Sequence, residues 1–118
     1  MRKELEDRLI NFAGNVIQMR GSFEPGEVTE NLYGQLTRSA TSAALNYGEA
    51  QGAESRKDFA HKIGIVLKEI RESHNNLKII ATAGLYRGNK NDINKVLDEC
   101  NQLVAIFHKT SLTLKNSK

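Results

Sequence analysis

At 118 residues the chain has room for one hydrophobic core and not for two. Its 39% hydrophobic and 26% charged residues exclude a disordered polymer, and one proline, no tryptophan and 6% aromatics argue against a sandwich or barrel of short strands. A formal net charge of +3 permits an acidic partner such as RNA or DNA without demanding one.

The first element opens with MRKELEDRLINF, which is charged and lacks the apolar centre of a signal segment. Leu5, Leu9, Phe12, Val16 and Met19 then recur at intervals of four and three, which keeps one face of an α-helix toward a core. Gly21 follows that stripe, with Pro25 and Gly26 close behind. A second stripe runs through Leu32, Leu36, Ala40, Ala43, Tyr47 and Ala50 to a stop at Gly52. The third and clearest is Phe59, Ile63, Val66, Ile70, Ser73, Leu77, Ile80 and Gly84, widened by Ala60, Leu67 and Ala81, with its stop expected at Gly88. The fourth is Ile93, Val96, Cys100, Leu103, Phe107 and Leu114. Glycines at these stops can take the left-handed conformation that ends a helix. Ser55 with Asp58, and Asn89 with Asp92, have the spacing that opens one. The link from about Gly52 to Glu54 is short enough to make the second and third helices antiparallel neighbours. The expectation is all-α: one antiparallel up-down-up-down four-helix bundle over residues 1–118. No apolar run approaches the roughly 20 residues that cross a bilayer, so a cytoplasmic protein away from membranes is expected.

The second helix is unusually thin. In RSATSAALNYGEA, Ser39, Ala40, Ser42, Ala43 and Ala44 remove bulk, so another helix can lie close along that face. The seam so formed is either internal or shared with a second copy, and one helix has sides enough for both. Asn46 and Glu49 share a face and need partners wherever they are buried. Folding the third helix back brings Arg56 and Lys57 near Glu49, and sets Arg38 beside Lys68, Glu69 and Glu72. Folding the first helix in brings Arg2 and Lys3 toward Asn46. A polar clasp of Arg38, Asn46, Glu49, Glu69 and Glu72 at one end of the bundle is expected to fix helix register.

The string Arg38-Ser39-Ala40-Thr41-Ser42, then Asn46, then Glu49-Ala50, resembles the signature of a bacterial four-helix bundle family. Its members are named for open reading frames inside intervening sequences of large-subunit ribosomal RNA genes, and some carry a misleading ribosomal-protein label. The resemblance continues through SRKDFAHKIGIVLKEIRESHNNLKII, where Phe59, Leu67, Lys68, Glu69, Glu72 and Leu77 stand at the second signature. It departs at Leu45-Asn46-Tyr47-Gly48, where an isoleucine-rich version is usual. The resemblance implies an antiparallel four-helix bundle that assembles into a closed ring, with pentamers expected from relatives. It also implies distant kinship with accessory proteins of diversity-generating retroelements, whose basic ring engages nucleic acid and a reverse transcriptase. No enzymatic activity comes with it.

Enzymatic motifs are absent from the sequence itself. There is no glycine-rich phosphate loop and no nucleophile motif. A di-metal bundle needs two Glu-x-x-His pairs, and Asp58 with His61 is a remote imitation of one. Glu69 and Glu72 alternate with Lys68 and Arg71 as a self-compensating helix face rather than an acid–base pair. His74 flanks the core stripe as a structural histidine, His108 is a boundary residue, and Cys100 is a small core residue of a reducing compartment. No cofactor and no metal are expected. An antiparallel bundle gathers nine cations at one end, namely Arg2, Lys3, Arg8, Arg56, Lys57, Lys62, Lys109, Lys115 and Lys118, against six acids, Glu4, Glu6, Asp7, Glu49, Glu54 and Asp58. Of these, Arg2, Lys3, Arg56, Lys57, Lys62 and Lys115 are the expected contacts to RNA or DNA, directed to phosphates because stacking platforms are not evident. The expected function is a non-enzymatic oligomeric scaffold or adaptor with itself and a nucleic acid as partners. The alternative is a protein-interaction module that binds no nucleic acid.

Overall fold

The computed structural model describes residues 2–116, with the side chain of Arg2 outside the described part. Four helices carry the chain: α1 (Arg2–Gln18), α2 (Glu27–Gln51), α3 (Arg56–Thr82) and α4 (Lys90–Asn116), with a 3-10 turn at Met19–Ser22 extending α1. They pack as an antiparallel bundle with extents of 48 × 22 × 19 Å. The all-α four-helix expectation is met. The longest shared seam is α2 with α3, and the shortest between sequential or closing neighbours is α1 with α4.

The four stripes meet on one core. Leu9, Phe12 and Val16 of α1 face Leu36, Ala40 and Ala43 of α2; Ile63, Val66, Ile70, Leu77 and Ile80 of α3 and Cys100, Leu103 and Phe107 of α4 complete it, all essentially inaccessible. Tyr47 and Phe107 meet edge-on at 5.5 Å across the core. The Cys100 thiol donates to the Ile70 carbonyl at 3.5 Å, and burial pushes its pKa up to about 12. It is therefore a packing residue and an inert thiol.

Helix ends follow the expected chemistry with two corrections. Ser55 Oγ accepts from the Asp58 amide at 3.0 Å, and Asn89 Oδ1 accepts from the Asn91 amide at 2.8 Å. Helix α3 stops at Gly84 rather than Gly88. Gly84 adopts φ +68°, its amide donates to Ala81 O, and the Leu85 amide donates to Ile80 O at 3.0 Å, which together close the last turn. Gly52 is not left-handed; its φ is −99°, and α2 ends by tightening, with Gly52 N–H donating to Glu49 O at 3.1 Å.

The connectors at the other end are stitched together. Phe23 and Tyr86 form an isolated antiparallel bridge, with Glu24 N–H donating to Leu85 O at 2.6 Å and Arg87 N–H to Ser22 O. The Arg87 guanidinium pairs with Glu24 at 2.7 Å, and the Phe23 ring packs against Tyr33 and Tyr86. A Cβ on Gly88 would come 2.5 Å from the Tyr86 hydroxyl, so a larger residue there would displace the Tyr86 ring. The Tyr33 hydroxyl shares its proton between Val16 O and Ile17 O, tying the end of α1 to α2.

Candidate interaction surface

The thin face of α2 forms an internal seam: Ser39, Ala40 and Ala43 are fully buried. Ser39 Oγ and Ser73 Oγ lie 2.7 Å apart inside it; one hydroxyl donates to the other, whose own proton goes to a carbonyl of its helix, Leu36 O for Ser39 or Glu69 O for Ser73. The polar residues expected to clasp one end are instead spread along the seam as a ladder. Arg38 bonds Glu72 and stands 3.8 Å from Glu69. Ser42 Oγ donates to Glu69 Oε2 at 3.1 Å, and Asn46 Nδ2 donates to Ser42 O and Oγ. Glu69 Oε1 is buried without a hydrogen-bond partner, so its charge rests on the nearby Arg38. At the far rung the exposed Glu49 pairs with the half-buried Lys62 at 2.7 Å, and that bond raises the pKa of the Lys62 ammonium. The folding construction placed Arg56 and Lys57 there. Lys62 wins because it stands nearly two turns further into α3, at the height of Glu49. Asn46 turns back onto its own helix rather than toward Lys3.

The expected basic end is partly neutralised. Lys3 pairs with Asp7 at 3.6 Å, and Lys62 is taken by Glu49. Arg8 reaches α4, where Glu99 binds it in a two-pronged pair at 2.7 and 2.9 Å that raises the guanidinium pKa further. The side chain of Arg2, and all of Lys118, lie outside the described residues. Two expected residues converge: Lys57 and Lys115 line one groove of about 510 Å³ between α3 and α4. His61 and Lys68 join them, over a floor of Ala60, Ile65, Leu67 and Leu114. Among the described residues, no carboxylate lines this groove.

A second groove, of about 550 Å³, flanks α3 on its α2 side. Leu32 and Ile79 form one end and Leu67 and Gly64 the other, with Lys68, Arg71, Asn75 and Asn76 along it. Gly64 borders both grooves, and a Cβ there would meet nothing within 4 Å. Arg71 Nη2 donates to His108 Nδ1 of α4 at 3.0 Å. His74 is half-buried, and desolvation, then the Lys78 charge, lowers its pKa. Among the described residues no group of three or more His, Cys, Asp or Glu is placed to hold a metal, and no helix is long and apolar enough to cross a membrane.

The model of the 23S rRNA-intervening sequence proteins matches residues 4–109. The chain belongs to that family. No curated protein matches it. Among solved structures, it is similar to a protein of unknown function from the S23 ribosomal protein family of Bacteroides thetaiotaomicron VPI-5482, with 22% identity, a TM-score of 0.76, and coverage of 94% of this chain and 98% of that one. That likeness establishes the bundle. In this member of the intervening sequence protein family, the features that stand out beyond the fold are the two grooves beside α3 and a set of exposed apolar side chains. Val28 (70% exposed), Leu45, Ile10 (53%), Ile17 (50%), Ile79 (50%) and Leu112 all lie off the core stripes. Periodicity did not mark them, because a stripe reports only the face that meets the core.

Proposed function

We propose that the protein is a non-enzymatic scaffold that self-associates and holds the phosphate backbone of RNA or DNA along the α3–α4 groove. The observation that carries this reading is the groove lined by Lys57, His61, Lys68 and Lys115, with no carboxylate among the described residues that line it. Three ammonium groups facing one channel repel one another unless an anion or counterions lie between them. A polyphosphate chain relieves that repulsion and releases the counterions. Sequence is not read. Of the aromatic rings, Phe23 packs against both Tyr33 and Tyr86, and Tyr47 packs on Phe107. Self-association is supported by the exposed apolar side chains, which a lone chain leaves in water. A ring of copies repeats the basic groove and multiplies its field.

Filter binding with structured RNA over a salt series tests the reading. The wild type should bind at low salt and weaken steeply as salt rises. The triple variant K57Q/K68Q/K115Q should lose binding and flatten the log–log salt slope by about two to three. Binding that ignores both salt and the three substitutions overturns it. The second reading is a protein-interaction module, and the apolar floor of Ala60, Ile65, Leu67 and Leu114 favours it, since that floor with a basic rim suits an acidic amphipathic helix. An absence of RNA binding at low salt would select that alternative.

A further inference from the structure

We infer that the protein binds a free α-amino acid in the cleft between α1 and α4 at the connector end of the bundle. This site is separate from the basic groove, which lies between α3 and α4. The α1–α4 seam is the sparse one, and the Arg8–Glu99 pair spans it. Seven residues beyond each member of that pair, at Asn15 and Asp92, the helices flank a cavity of about 350 Å³. Its floor is apolar, made by the buried Met19 and Val96. Its end wall is Ser22 and Tyr86, from the two connectors that the Phe23–Tyr86 bridge ties together. The absence of a side chain at Gly88 leaves the Tyr86 hydroxyl its place. A site whose walls are already fixed loses little freedom when a ligand enters.

The rim carries charge that the chain leaves unpaired. Asp92 and Lys95 are three apart on α4 and so share a face, yet they form no ion pair with each other or with another described residue. Carboxylates near a cation are paired with it elsewhere: Arg8 with Glu99, Arg38 with Glu72, Lys62 with Glu49 and Arg87 with Glu24. The amides of Asn15 and Gln18, opposite on α1, also bond no other described residue.

That set of groups selects a ligand class. One carboxylate and one ammonium leave the described lining without net charge. A lone anion such as phosphate meets Asp92 as well as Lys95, and a lone cation meets the reverse. A zwitterion satisfies both, its ammonium on Asp92 and its carboxylate on Lys95. An α-amino acid carries those two groups on one carbon, within reach of side chains one helical turn apart. Asn15 and Gln18 each supply donors and an acceptor for the remaining N–H and oxygen positions. The side chain of the ligand then lies on Met19 and Val96, which favours the larger apolar amino acids. The volume is at the small end of ligand pockets, as such a molecule requires.

NMR of protein labelled at its methionine methyls tests this, Met19 being one of two methionines. L-Leucine at millimolar concentration should shift the Met19 signal and saturate. N-acetyl-L-leucine and L-leucine amide each lack one charge, and each should bind about tenfold more weakly or worse. D92N should weaken L-leucine by a similar factor and leave N-acetyl-L-leucine no weaker, since that ligand has no ammonium to lose. K95Q should weaken L-leucine and leave the amide no weaker. Asp92 also lies in the first turn of α4, where negative charge suits the helix end. If D92N fails to fold, K95Q at its exposed position carries the test. No Met19 shift with L-leucine overturns the inference, as does a shift that both blocked ligands and K95Q reproduce at full strength. RNA binding by K95Q should match wild type in either case, so the phosphate reading stands or falls on its own assay.

Discussion

The two seams that flank α2 and α1 are built on different terms. Between α2 and α3, Ser39, Ala40 and Ala43 strip away bulk so that the helices nearly touch, and a serine pair and a carboxylate ladder fill the remaining positions. Between α1 and α4 the helices meet little, and the Arg8–Glu99 pair spans the gap. A close seam tolerates no change of volume, whereas a bridged seam tolerates changes of volume but depends on charge. The chain thus spends its steric precision on one side and leaves the other adjustable.

Enlarging the close seam should have the largest effect. Ala40→Leu forces extra methyl groups into a site with no exposure, and should cost about 1–3 kcal/mol, read as a clear fall in thermal midpoint. A midpoint unchanged by that substitution would mean the two seams do not differ as described. Breaking the bridged seam should do less. Arg8→Met removes a pair whose members are each about one-third exposed, and should cost about 0.5–1 kcal/mol, with high salt narrowing the gap to wild type. A salt-independent loss would assign the effect to packing of the arginine stem instead. Smallest of all is Glu49→Gln, whose carboxylate and Lys62 partner lie on the solvent side of the ladder. Its thermal unfolding should match wild type, and a marked loss would move the anchoring rung from Glu69 to Glu49.

The helices were legible because each stripe is nearly pure: Leu9, Phe12 and Val16, or Ile63, Val66 and Ile70, leave no second face of equal strength. Gly84 misled the reading of α3, since it falls on the stripe by spacing yet serves as the turn that ends the helix. The polar partners were legible only to within a turn or two. An antiparallel fold sets which helices face each other, but not which of Arg56, Lys57 and Lys62 stands at the height of Glu49. The convergence of Lys57 and Lys115 follows from that topology, which returns the chain end to the start of α3. Lys68 and His61 stand seven apart on one line of α3, but Lys68 reads as part of the self-compensating face with Glu69 and His61 as a remote metal-like pair with Asp58, so neither is given to the groove. The Phe23–Tyr86 bridge had no local signal at all, for its two strands are single residues in connectors far apart in sequence.

That bridge has a mechanical consequence. The amides of Glu24 and Arg87 belong to irregular backbone, yet they are held like rungs of a sheet, and the Glu24–Arg87 pair clamps them from outside. The two crossings therefore move as one stiff corner. Parting either crossing requires breaking the Glu24 and Arg87 amide bonds and the Glu24–Arg87 pair together.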